Sequence, residues 1–163
     1  MTEEKIDIFC SLDNTELGLL DDADVICTKL RVHFNLHAKV IQIVPGSRLY
    51  TENDIRAAMD KSKLVLIFGT KHYGGENTNT SFGTKEQLEL IALRKSPYYI
   101  IKMCEHFKYA RVRELFDGLG PFTQWNCRGS SRSEWNRSDP LPEDLIGNIA
   151  QAYMSACRYR LGK

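Results

Sequence analysis

Short apolar runs recur along the chain, each followed by polar residues and then by a stretch whose apolar positions fall at helical spacing. The first run, KIDIFCS (5–11), alternates Ile6, Ile8 and Cys10 with Asp7, Phe9 and Ser11, the period-two pattern of a strand. In LLDDADVICTKLRVHF (19–34), Ala23, Ile26, Leu30 and Phe34 recur at helical intervals, predicting a helix that buries all four. AKVIQIV (38–44) reads as a second strand, stopped by the turn signal Pro45-Gly46. Thr51, followed by Asp54, predicts an N-cap with an acidic first turn opening TENDIRAAMDKS. KLVLIFG (63–69) is almost wholly apolar, as a strand covered on both faces by helices must be. After the loop TKHYGGENTNT, SFGTKEQLELI (81–91) predicts a third helix running to about Lys95. Ser81 is its expected cap, Phe82 anchors its first turn, and Leu88, Leu90 and Ile91 are its buried positions. PYYIIKMC (97–104) and PFTQWN (121–126) are the remaining strands, with a short helix around ARVRELF between them. The final helix is read from LPEDLIGNIAQAYMSACRYR, acidic in its first turn and basic in its last, as the helix dipole favours.

Strands alternating with helices, and central strands without polar positions, predict a parallel sheet with helices on both faces. Right-handed crossovers make this a doubly wound, five-stranded sheet, and no linker or repeat divides residues 1–163, so a single α/β domain is expected. A formal net charge of +1 gives no footing for a nucleic-acid or membrane-surface partner. No apolar run approaches the length needed to span a bilayer. The acidic start MTEEKIDIF lacks the features of a secretory signal, so a cytoplasmic location is expected. Cys10, Cys27, Cys104, Cys127 and Cys157 are scattered, without the paired spacing of a zinc site or disulfide framework. They read as reduced thiols serving as small hydrophobes, with Cys10 nearest a strand end where a site is expected.

In open sheets of this kind ligands bind beyond the C-terminal strand ends, at the switch point of the topology. The loops there exclude several chemistries. SLDNTELG after the first strand is a poor phosphate cradle, and neither a dinucleotide-binding glycine fingerprint nor a P-loop is present. The third strand ends in Phe68-Gly69-Thr70 rather than in the aspartate of a response-regulator receiver.

Taken together, IDIFCS, VPGSR, AAMDKSKLVLIFGTKHY and SFGTKEQLELI resemble the boxes of a TIR (Toll/interleukin-1 receptor) domain, in order and over residues 5 to about 155. Asp7, Phe9 and Ser11 fall in register with the family's first box, and Pro45-Gly46 with its proline-glycine loop. Ser62-Lys63 through Tyr73 matches the third-strand block, and Phe82 followed by Glu86 matches an aromatic residue and the glutamate four later. The chain departs from the pattern where Phe82 replaces the usual tryptophan, where Gln42-Ile43-Val44 replaces an acidic-basic signature, and at Leu12-Asp13, which lacks an arginine.

The resemblance implies a flavodoxin-like fold and one of two functions. One branch of the family cleaves the nicotinamide–ribose bond of NAD, giving nicotinamide and ADP-ribose or a cyclic ADP-ribose variant. Glu86 would then be the catalytic residue, with substrate contacts from Phe9, Ser11, Asp13, Pro45, Gly46, Arg48, Tyr73 and Phe82. NAD is substrate there, with no further cofactor or metal, and homotypic TIR self-association in immune or defence signalling accompanies the activity. The other branch is a non-catalytic scaffold acting through TIR–TIR contacts. A relative of nucleoside deoxyribosyltransferases, which also use a glutamate on a doubly wound sheet, is a third reading that the ordered boxes disfavour. From the residues alone, Glu86 also suits the positive end of a helix dipole, where a glutamate needs no catalytic reason.

Overall fold

The computed structural model describes residues 5–13, 19–41, 51–75, 82–104, 106–116, 122–125 and 141–161. Its strands are β1 (Ile8–Ser11), β2 (Ala38–Val40), β3 (Leu64–Gly69), β4 (Tyr98–Lys102) and β5 (Phe122–Gln124). Between and after them come α1 (Leu19–Phe34), α2 (Glu52–Lys61), α3 (Thr84–Arg94), α4 (Ala110–Phe116) and α5 (Leu145–Leu161). The strands form one all-parallel sheet in the order β2-β1-β3-β4-β5, a flavodoxin-like arrangement and the doubly wound sheet expected from the alternating pattern.

Every residue of β3 is buried, and the side chains divide by parity. Leu64, Leu66 and Phe68 face a core built with α1 and α5, and Val65 and Ile67 face one built with α2, α3 and α4. β1 does the same, sending Ile8 and Cys10 to the first core and Phe9 to the second. Ile6 departs from the expected alternation and joins Phe9 in the second core, because the strand begins only at Ile8. Asp7, at the intervening bend, is buried and accepts the His37 N–H at 2.8 Å and the Tyr153 hydroxyl at 3.3 Å. One carboxylate thereby anchors the entry to β2 and a position on α5.

Three helices differ from expectation at particular residues. In α1, Leu19, Ala23, Ile26 and Leu30 are buried, but Phe34 is 47% exposed. It is the helix's last residue, and Asn35 leaves it with φ +55°, turning the chain toward β2. The α2 cap is as predicted, with the Thr51 hydroxyl accepting the Asp54 N–H and the Asp54 carboxylate accepting the Thr51 N–H. α3 begins at Thr84 with Gly83 as its N-cap, later than a Ser81 cap would set it, and Ser81 itself lies outside the described residues. α5 has no acidic residue in its first turn, since Glu143 and Asp144 precede the helix. The Asp144 carbonyl accepts its opening bond from Asn148. Trp125, just past β5, is buried in the α1/α5 core, while Cys127 lies outside the described residues. Among the described residues no helix is long and apolar enough to cross a membrane.

The two-sided burial of β3 makes its side chains costly to truncate. Leu66→Ala is expected to lose about 2–5 kcal/mol of unfolding free energy through lost burial and a residual cavity. Leu93→Ala, at a position 80% exposed on α3, should stay within about 0.5 kcal/mol. Urea unfolding of the two variants checks both.

Candidate functional site

In the order β2-β1-β3-β4-β5 the chain reverses direction across the sheet between β1 and β3, so the crevice rule points to the C-terminal ends of those two strands. Ser11 closes β1 opposite Ile67, and β3 ends at Gly69 with Thr70 just past it. The turn at 71–74 then leads toward the first turn of α3.

Ser11 lies on the face of β1 that packs toward α3, where its neighbours are apolar, and a hydroxyl desolvated there needs partners. It has two. The Ser11 hydroxyl donates to Gln87 Oε1 at 2.7 Å and accepts the Tyr73 phenol proton at 2.6 Å. The Gln87 amide completes the chain with a longer bond, 3.4 Å, to the Phe82 carbonyl. All three side chains are buried, and burial pushes the Tyr73 phenol well above its ordinary range, keeping it protonated as the donor. The network ties the end of β1, the turn after β3 and the start of α3 into one rigid unit.

A second tie runs from the Gly74 N–H to the Thr84 hydroxyl at 3.0 Å. Gly74 has φ +84°, and a Cβ there would lie 2.3 Å from Val112 Cγ2. Gly74-Gly75 therefore serves close approach rather than loop freedom: the turn is pressed against α4, and a Cβ on Gly75 would meet the Tyr109 ring at 2.5 Å.

Glu86 occupies the third position of α3. Gly83 has no side chain with which to cap the helix, and Glu86 reaches back to accept its N–H at 2.8 Å. The carboxylate is partly exposed, and among the described residues no second partner engages it. Its place in the first turn puts it at the positive end of the helix dipole. Phe82 does not anchor the first turn of α3 as expected. Phe82 precedes Gly83, outside the helix, and its ring is 3% exposed in the α2/α3/α4 core. The Arg56 guanidinium lies 4.9 Å from the ring centroid.

The remaining expected contacts separate clearly. Phe9 and Tyr73 are wholly buried, so both shape the site from beneath, and Asp13 is buried two residues past β1. Pro45, Gly46 and Arg48 lie outside the described residues. Glu89 is exposed and forms a paired contact with Arg111, both N–O distances 2.9 Å. The Arg111 hydrogen bonds hold its carboxyl below the usual range.

Gln87 and Thr70 are site residues the sequence reading did not single out. The signal for Gln87 was present: Thr84, Gln87, Leu88 and Ile91 form one buried stripe at helical spacing, with polar side chains on it only at the sheet-edge end. Thr70 is 3% exposed, and its hydroxyl has no hydrogen-bond partner among the described residues. It is a desolvated polar atom just past the end of β3. Compared with known proteins, the chain matches no family model, no curated protein and no solved structure.

Ser11→Ala orphans two buried atoms, the Tyr73 hydroxyl and Gln87 Oε1, and is expected to cost about 1–3 kcal/mol. Tyr73→Phe leaves Ser11 still bonded to Gln87 and should cost less, about 0.5–1.5 kcal/mol. Denaturant unfolding ranks the two. Gly74→Ala combines a strained left-handed backbone with overlap on Val112 and is expected to cost about 2–4 kcal/mol. Adding Val112→Ala should recover part of that loss, read as a favourable coupling in a double-mutant cycle.

Proposed function

We propose that the chain is a TIR domain of the NAD-cleaving kind, with Glu86 as the catalytic carboxylate. The reading rests first on the ordered resemblance of the four sequence boxes. The structural observation that supports it is Glu86 itself, a carboxylate at the N-terminal end of α3, bonded through one oxygen to the Gly83 N–H. A carboxylate held this way is oriented before substrate arrives.

The chemistry asks for little more. Nicotinamide attached to ribose is already cationic and departs as a neutral molecule, so no general acid is required. The developing oxocarbenium ion at the ribose is the species a carboxylate stabilises or traps, as in glycoside hydrolysis. Oε1, engaged with Gly83, fixes the orientation, and Oε2 is the oxygen assigned to the ribose. The Thr70 hydroxyl, desolvated and without a partner among the described residues, would gain one from a substrate hydroxyl at this edge. Phe82 supports the site from the core instead of stacking on the nicotinamide. Water capture of the ribosyl cation gives ADP-ribose, and capture by an adenine nitrogen gives the cyclic product. Self-association through the Pro45-Gly46 loop, in immune or defence signalling, belongs to the same reading.

The second reading, a non-catalytic assembly module, is favoured by the same hydrogen bond: a glutamate that satisfies a helix end has a structural role without any substrate. Glu86→Gln distinguishes the two, because the amide oxygen still accepts the Gly83 N–H while the charge is removed. With concentrated protein and NAD, nicotinamide release followed by chromatography and mass should fall by about a hundredfold or more in Glu86→Gln. Its unfolding midpoint should stay near that of the parent. Absence of release from both proteins, even when crowded into assemblies, would leave Glu86 as a helix cap and favour the assembly module.

A further inference from the structure

Cys10 and Cys27 lie with their sulfurs 3.7 Å apart, the first wholly buried on β1 and the second half-buried on α1. Cys27 opens onto a cleft of about 370 Å³ whose lining includes Lys5, Arg31, His37 and Lys39, with Asp24 beside the thiol. This cleft is on the α1 side of the sheet, whereas Glu86 and the Ser11–Tyr73–Gln87 network are on the α3 side.

The two thiols are inequivalent. The two sulfurs share one contact, which together with full burial raises the Cys10 thiol well above its ordinary value, while the same contact lowers the Cys27 thiol. Cys27, on the cleft, is the sulfur an oxidant reaches, and its lowered thiol favours the form that attacks, whereas Cys10 is enclosed beneath it. A disulfide places its sulfurs about 2.05 Å apart, so the pair is within reach of bonding through side-chain rotation and a small approach of α1 to β1.

We propose that Cys27 and Cys10 form a peroxide-reactive dithiol, in which Cys27 in the basic cleft is the attacking sulfur and Cys10 beneath it the resolving one. In the first step Cys27 sulfur attacks the distal oxygen of a hydroperoxide. An S–O bond forms, the O–O bond breaks, and the leaving oxide takes a proton to depart as water or an alcohol, leaving a sulfenic acid. In the second step Cys10 sulfur attacks Cys27 sulfur. The S–S bond forms, the S–O bond breaks, and the hydroxide leaves as water with the Cys10 proton. Two electrons pass from the sulfurs to the peroxide, and the chain loses two hydrogens. The site is independent of the NAD reading, since neither cysteine belongs to the Glu86 edge.

The test uses the whole folded chain, with the half-buried Cys104 and Cys157 as internal controls. Hydrogen peroxide is added, free thiols are then blocked with N-ethylmaleimide, and the products are read by intact mass and peptide mapping. The expected result is the loss of two hydrogens and a Cys10–Cys27 cross-linked peptide. Before oxidation, Cys27 should alkylate at least roughly tenfold faster than Cys104 or Cys157. Cys10→Ala should abolish the cross-link and let dimedone trap the sulfenic acid on Cys27. Cys27→Ser should leave Cys10 unmodified. Native protein that keeps all its hydrogens under peroxide, a cross-link that uses another cysteine, or Cys27 alkylation no faster than the controls would overturn the proposal, and none of these readings depends on a variant folding.

Discussion

β3 is buried along its whole length from both sides, and the parity of its residues decides what else the chain has to supply. Leu64, Leu66 and Phe68 require one apolar layer, and Val65 and Ile67 require another, so helices must lie on both faces. α1 and α5 meet the first demand and α2, α3 and α4 the second. A polar residue on either inner face has to be satisfied locally, because water is excluded there. On the α3 side, polar side chains therefore gather where the strands stop, at Ser11 and Thr70.

At that edge the same groups carry structure and candidate chemistry. Ser11 is polar on a face otherwise apolar, and its two bonds, to Tyr73 and Gln87, link β1 to the turn after β3 and to α3. Gly74 lets that turn approach α4, and the Gly74–Thr84 bond fixes where α3 begins. Fixing the start of α3 fixes Glu86, whose carboxylate closes the helix end that Gly83 cannot. The rigidity of the buried network is what would hold a catalytic carboxylate in register, and it would be there equally for a scaffold.

Much of this was legible in the sequence, for reasons that can be named. Periodicity located the buried residues Ala23, Ile26 and Leu30 of α1, because a long helix over a sheet repeats its apolar face several times. The unbroken apolar run 63–69 identified the central strand, and Thr51 with Asp54 identified a cap whose bonds are local. What was not legible depends on where an element starts. Phe82 and Glu86 share a face only if the helix already includes Phe82. Gly83, a residue without a capping side chain, takes the N-cap position after Phe82 has gone into the core. Phe34 matched the helical period but fell at the terminus, where the left-handed Asn35 turns the chain toward β2. Gln87 and Tyr73 meet Ser11 across 76 and 62 residues of sequence, and no local pattern contains that information.

Strand alternation also separates the two chemistries that meet on β1. Cys10 and Ser11 are consecutive, so one faces α1 and the other faces α3. Cys10 is registered against Val40 on one side and Leu66 on the other, and Ser11 is registered against Ile67. A strand paired on both edges resists sliding, since any displacement would break ladder bonds to β2 and β3 together. Closing the sulfur pair from 3.7 Å therefore falls on χ rotation and on α1, which is held to the sheet by side-chain packing rather than by backbone bonds. On this geometry oxidation at Cys10 and Cys27 tightens the α1 face while the Ser11 bonds to Tyr73 and Gln87 persist.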